Sequence, residues 1–236
     1  EELVAGVSHE LRTPIAVVQA HIESLQMRAG AEAGGPIPVP KDTLEALHHE
    51  MERLTDMVDD LFLLARAGTG AVRMRVEPTD VAALVREQGD LLRPLALQQG
   101  AITLSVEAPS GLPPAMADPD RLRQILANLV RNAVRHTPEG GIIGLAVSSE
   151  EDWLVITVAD TGEGIAPEHL PHIFERFYRA DSGRSRAAGG AGLGLAIVGE
   201  FVKLMGGYVT ADSVLGEGSC FRVYLRQAAP PAGRVM

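Results

Sequence analysis

The chain has 236 residues, 46% hydrophobic and 22% charged, a composition that fits one large globular domain or two modest ones. A formal charge of −10, with Lys and Arg scattered rather than clustered, excludes wrapping nucleic acid or lying on anionic lipid. The single cysteine, Cys220, excludes an internal disulfide and favours a cytosolic setting, and no run approaches the roughly 18 apolar residues that span a bilayer.

No signal peptide is visible, and the chain opens on Glu1 without a starting Met, so it is read as a piece of a longer protein. Residues Leu3–Ala29 are predicted as one helix. Leu3, Val7, Leu11, Ile15, Val18, Ile22 and Leu25 recur at spacings of three and four and make one apolar stripe. His9 lies about 160° from Leu11 and about 180° from Val18 at 100° per residue, so it points away from that stripe. Glu10 follows it and can take a proton from one ring nitrogen, leaving the other as nucleophile. Thr13 is one turn on, about 40° away. Pro14 removes a hydrogen bond to the Glu10 carbonyl and is expected to bend the helix beside His9.

The Gly- and Pro-rich stretch Gly30–Pro40 breaks this helix. A second runs from about Asp42 to Ala67, striped by Leu44, Leu47, Met51, Leu54, Val58, Leu61 and Leu64 at a near-heptad rhythm. The two read as an antiparallel helical hairpin. Its apolar surface can be covered by doubling into a dimeric four-helix bundle, or by packing on the rest of the same chain. Gly68 and Gly70 mark a linker.

Beyond the linker, helices and strands alternate. Asp80 caps a helix to about Gln99, interrupted near Pro94, and Ile102–Glu107 alternates like a strand. Asp118-Pro119, an N-cap followed by a first-turn proline, opens a helix to His136. Asn128 and Asn132 share one face of it, extended a turn by Arg135 and His136, while Ile125, Leu129 and Ala133 take the adjoining face. Neutral amides suit a divalent cation that keeps most of its waters, and they equally suit a solvated helix face.

Ile142–Ser148 and Trp153–Asp160 read as a hairpin. It ends in Asp160-Thr161-Gly162-Glu163-Gly164-Ile165, an acid at a strand end followed by glycines. The acid can accept a hydrogen bond from an exocyclic amine such as that of adenine, and the glycines let backbone approach a flat base. A plain turn fits the same residues. Gly189-Gly190-Ala191-Gly192-Leu193-Gly194-Leu195 opens a helix over Gly192–Met205 after the small and polar stretch Asp181–Ala188. Backbone N–H groups at a helix start can hold phosphates. No Gly-x-x-x-x-Gly-Lys-Ser/Thr run is present, which excludes a P-loop. Tyr208–Asp212 and Ser219–Leu225, the latter containing Cys220, form a last strand pair. The order of elements predicts an α+β two-layer sandwich. Ala228–Met236 reads as a flexible tail.

Ser8-His9-Glu10-Leu11-Arg12-Thr13-Pro14 resembles the H box of sensor histidine kinases. The later clusters, in order, resemble that family's N box, first glycine box, F box (Phe174-Glu175-Arg176-Phe177-Tyr178-Arg179) and second glycine box, and Gly216-Glu217-Gly218-Ser219 its small third glycine motif. The resemblance implies a phosphotransfer and dimerisation domain over residues 1–67, then a Bergerat-type ATP-binding domain over 68–227, with 228–236 as tail. It implies that His9 accepts the phosphoryl group, Glu10 assists as acid and base, and Thr13 positions a water for phosphatase activity. Asn132 would coordinate Mg²⁺ with Asn128 beside it, and Asp160 would recognise the adenine of ATP in a pocket shaped by Gly162, Gly164 and Ile165. Gly190, Gly192, Leu193 and Gly194 would form the phosphate-side hinge of a lid, with Phe177 at its other end. Arg135 occupies a place usually held by a basic residue, His136 stands where an aromatic is common, and Ala191 replaces a frequent Thr. The implied partners are a second copy of the chain and the receiver domain of a response regulator. The implied location is the cytoplasmic portion of a protein anchored in a bacterial inner membrane. Two other readings remain: an ATP-gated conformational machine of the gyrase type, and a pseudokinase scaffold.

Overall fold

The computed structural model describes residues 2–31, 39–68, 73–180 and 192–229. The chain divides into two compact units, Glu1–Ala65 and Arg66–Met236. The first contains two helices, α1 (Glu2–Ala31) and α2 (Lys41–Gly68), the latter ending just past the unit's boundary. Helix α1 runs through Pro14, which is buried. Asp42 stands in the first turn of α2 and Arg66 in the last, each the charge that the helix dipole favours at that end. Met57 and Leu64, seven residues apart, are buried.

The second unit follows the order β1 (Glu77–Thr79), α3 (Val81–Gln98), β2 (Thr103–Glu107), β3 (Ala115–Ala117), α4 (Pro119–His136), β4 (Ile142–Glu150), β5 (Trp153–Asp160), α5 (Gly194–Leu204), β6 (Tyr208–Val214) and β7 (Gly218–Arg226). Five strands make one mixed sheet in the order β2-β4-β5-β7-β6. β2 pairs parallel to β4, and the remaining pairs are antiparallel. The three helices pack on one face of it. That face reads directly from the period-2 pattern: Leu145 pairs with Val158 and Val158 with Phe221, Leu154 with Leu225, Ile156 with Val223, and all are buried. The result is the predicted two-layer α+β sandwich.

Helix α4 carries the most chemistry and is the most firmly fixed element. Asp118 Oδ1 accepts from the N–H groups of Asp120 and Arg121, and Pro119 starts the first turn. Asp118 Oδ2 accepts from the Arg75 N–H at 2.7 Å, tying the entering chain to the same cap. Leu122, Ile125, Leu126, Leu129 and Val130 are fully buried, each contributing about 1.5–3 kcal/mol of burial free energy. At the other end Thr137 caps the Ala133 carbonyl through both its N–H and its hydroxyl, and Pro138 stops propagation.

Four features differ from the sequence reading. Helix α3 is continuous through Pro94, because Leu92 and Ala96 on either side are buried and hold the turn despite the missing N–H. β1 and β3 form a separate two-stranded ribbon that the sequence did not signal. Helix α5 begins at Gly194, not Gly192. The packed chain also reaches Ala228, which is buried and donates its N–H to the Pro114 carbonyl at 2.8 Å; residues 230–236 of the expected tail lie outside the described part.

Candidate functional site

The polar face of α4 points toward the start of α5. The Asn128 side-chain amide donates to the Gly194 carbonyl at 3.3 Å, and its oxygen has no partner among the described residues. Asn132, one turn on, is half-buried, and its amide has no partner among the described residues. Arg135 is exposed on the last turn. His136 closes the helix, and its carbonyl accepts from the Glu163 N–H at 3.1 Å. Its ring Nδ1 stands 2.6 Å from Glu163 Oε1.

Asp160 ends β5 next to β7 and is 9% exposed. Its Oδ1 accepts from the Gly162 N–H at 2.8 Å and the Ser219 N–H at 3.3 Å. Oδ2 has no partner among the described residues. Burial is the largest influence on this carboxyl and pushes its pKa above the usual carboxylate range. The backbone N–H groups of Gly162 and Ser219, then His136, pull the other way, and Glu163 raises it further. The loop after Asp160 needs its glycines. A Cβ on Gly162 would lie 2.5 Å from the His136 carbonyl oxygen, and Gly164 adopts φ +71°, where a Cβ would lie 2.1 Å from the Val214 carbonyl oxygen. The loop is tied across to the β6–β7 turn by Gly216 N–H to the Glu163 carbonyl and by Ile165 N–H to Ser213 Oγ, 2.7 and 2.8 Å respectively.

At the α5 entry, Phe177 N–H donates to the Gly192 carbonyl at 3.0 Å. Phe177 itself sits at φ +64°, a left-handed conformation that costs an aromatic residue free energy and persists only where its surroundings impose it. Leu193 is 1% exposed, so its side chain belongs to the core and only its backbone can face a ligand. Phe174 packs edge-on against Phe221.

The structure thus gathers Asn128 with Gly194, His136 with Gly162 and Glu163, and Asp160 with Gly162, Gly164 and Ile165 through the same loop. His9, Glu10 and Thr13 lie in the other unit, on α1; their side chains are outside the described part, as are Gly190 and the rest of the expected lid segment Asp181–Gly190. The sequence reading missed Ser213, Ser219 as a donor to Asp160, and the Glu163–His136 contact. Ser219 could have been found from the register that sets it opposite Asp160. Nothing in the local sequence around Ser213 marks it.

The buried, unpartnered Oδ2 of Asp160 fits an amine donor such as adenine's, while its Oδ1 is held by backbone. The uncommitted Asn128 oxygen and the Asn132 amide are neutral donors suited to Mg²⁺, which keeps most of its waters. No group of three His, Cys, Asp or Glu among the described residues could cage a metal.

Two family models match the chain: "His Kinase A (phospho-acceptor) domain" over residues 1–70, and "Histidine kinase-, DNA gyrase B-, and HSP90-like ATPase" over 117–229. The chain is similar to the signal transduction histidine-protein kinase BaeS of Escherichia coli, 33% identical over 89% of this chain and 43% of BaeS. It is 34% identical to the sensor histidine kinase RppB of Synechocystis over 95% of this chain and 48% of RppB. Among solved structures, full-length ShkA in complex with AMPPNP matches with TM-score 0.69 and 30% identity, over 98% of this chain and 47% of that one. The chain therefore spans less than half the length of these relatives.

Proposed function

The chain belongs to the sensor histidine kinases of two-component systems, and from that membership we propose that it is a kinase core that phosphorylates itself on His9 with ATP and passes the phosphoryl group to an aspartate on a response regulator. The observation that carries the nucleotide half is the divided Asp160 carboxylate. One oxygen is fixed by two backbone donors, and the other has no partner among the described residues on a side chain that is 9% exposed. A buried acceptor left open costs free energy unless a ligand donor meets it, and the adenine amine is such a donor. The AMPPNP complex of the similar ShkA supports an adenine nucleotide as that ligand.

In the proposed reaction a nitrogen of the His9 imidazole attacks the γ-phosphorus of ATP. Glu10 receives the proton from the other ring nitrogen, the bond from the γ-phosphorus to the bridging oxygen breaks, and ADP leaves with its electron pair. Asn132, with Asn128 beside it, would hold Mg²⁺, which when bound neutralises charge on the phosphates. Asp160 holds the base, with Gly162, Gly164 and Ile165 shaping its loop. His136 with Glu163, Arg135, Phe177, Leu193 and the glycines Gly190, Gly192 and Gly194 border the nucleotide. In the reverse role, Thr13 would position a water that dephosphorylates the regulator. A second copy of the chain completes the helical bundle.

No described helix is long and apolar enough to cross a membrane. The proposed setting is the cytoplasmic side of a sensor anchored in the inner membrane, where ATP and the regulator are.

Incubation with γ-labelled ATP tests the reading. The expected product is protein carrying acid-labile, alkali-stable label, the behaviour of a phosphoramidate. Released phosphate without labelled protein would point to an ATP-driven machine, and neither label nor release to a scaffold.

A further inference from the structure

We infer that Ser213 is a positioning residue for base recognition: its hydroxyl locks the loop that follows Asp160 onto the strand that holds the Asp160 carboxylate. The inference rests on the nucleotide-site reading above.

Ser213 lies on β6, half-buried, in register with Ser219 on β7. Its Oγ accepts from the Ile165 N–H at 2.8 Å, donates to the Gly218 carbonyl at 2.7 Å, and lies 3.1 Å from Ser219 Oγ. The proton assignment is forced. A serine hydroxyl has one proton and two acceptor sites. The Gly218 carbonyl can only accept, so it takes that proton. The Ile165 N–H can only donate, so it fills one acceptor site, and Ser219 Oγ–H can fill the second. The oxygen is then saturated.

What Ser213 joins matters more than how many bonds it makes. On one side is Ile165, five residues after Asp160. On the other are Gly218 and Ser219, and the Ser219 N–H donates to Asp160 Oδ1. Chain, hydroxyl and strand therefore close a ring that begins and ends at Asp160, with the Gly162 N–H gripping the same Oδ1 from the loop side. The ring fixes how the carboxylate is turned, and so where its open Oδ2 points. Among the described residues the other ties of the loop lie nearer Asp160: Thr161 N–H to the Ile142 carbonyl with Ile142 N–H to Thr161 Oγ1, Gly216 N–H to the Glu163 carbonyl, Glu163 N–H to the His136 carbonyl, and the His136 ring to the Glu163 carboxylate. All end at Thr161 or Glu163. Ile165 is held only through Ser213 among the described residues. Loss of the hydroxyl thus frees the far end of the loop while leaving its middle attached.

A role in aiming Asp160 predicts a loss of base selectivity, not a uniform loss of binding. In Ser213→Ala, ATP affinity measured by calorimetry falls about tenfold, the scale expected when a half-buried hydroxyl with two strong partners is removed. Affinity for GTP, which lacks the amine at that position, stays as in wild type, so the ATP-over-GTP preference falls by the same factor. Ser213→Thr, which keeps the hydroxyl on a residue suited to strands, restores the preference. Unchanged ATP affinity in Ser213→Ala would overturn the inference, as would parallel loss of ATP and GTP or failure of Ser213→Thr to rescue. Should Ser213→Ala not fold, the preference is read in Ser213→Cys, whose sulfur is a weak donor and acceptor; a wild-type preference there would also overturn it. A wild-type chain that binds no ATP would overturn the nucleotide site itself, whereas wild-type binding with an unaffected variant would overturn only the role of Ser213.

Discussion

The two oxygens of the Asp160 carboxylate do different work, and the difference has a measurable consequence. Oδ1 is held by the Gly162 and Ser219 N–H groups, while Oδ2 has no partner among the described residues. Burial raises the pKa of this carboxyl above its ordinary range. A carboxyl whose folded pKa lies above its unfolded value adds stability that is fully present below the unfolded value and is lost as pH rises through the folded one. Ionisation of Asp160 therefore weighs against the fold, a cost that accompanies its proposed role in recognising the base. In Asp160→Asn the amide oxygen can keep both backbone donors, but Nδ2 then meets the adenine amine donor to donor. We expect ATP affinity to fall about tenfold to a hundredfold, while the melting temperature rises at neutral pH and the gain shrinks under acid. Unaltered ATP affinity would remove Asp160 from the base site. Cys220, by contrast, is a half-buried thiol that burial holds up in its protonated form, in keeping with an unreactive strand residue. Asn128, Asn132 and Asp160 could be picked out in sequence as candidates because each sits at a fixed offset in a motif. Ser213 could not, because its meaning comes from a residue 48 positions away across a turn.

Among elements, legibility followed length and capping. Helix α4 was readable from Asp118-Pro119 and its apolar period, and β4 and β5 from their alternation. The ribbon of β1 and β3 was not, since three residues are too few to alternate. Continuity of α3 through Pro94 was misread because propensity marks proline as a break, whereas burial of the flanking turns outweighs it. The helices α1 and α2 raise the question of what covers their remaining apolar surface. On α2, Met57 and Leu64 are buried, but Leu44, Met51 and Val58, also seven apart, are 54%, 52% and 38% exposed. On α1, Ile15 and Ile22 repeat the same spacing at 45% and 44%. Such a heptad seam fits a helix from a second copy, as the proposed homodimer requires. Sedimentation at tens of micromolar should give twice the 25.0 kDa chain mass, because an interface of ordinary size persists at that concentration. Met51→Glu with Val58→Glu should give a helical monomer. A wild-type chain that sediments as a monomer would contradict the bundle.

The chain divides into two units, and the proposed activity needs chemistry from each. The proposed acceptor His9 is in the first unit, and Asn132 and Asp160, proposed for the nucleotide, are in the second. The layered fold of the second unit could be read from the sequence, because its apolar periods are local. Which hydrogen bonds close the base loop could not, because they depend on strand register. The division between units makes the central claim separable: removing the acceptor must abolish phosphorylation without touching the nucleotide site. The direct measurement is His9→Gln, assayed for labelling by γ-labelled ATP and for ATP affinity. The account predicts no acid-labile label and an ATP dissociation constant within about twofold of wild type, as expected for sites that do not share partners. Acid-labile label retained in His9→Gln would contradict it, since one of the other six histidines would then be the acceptor.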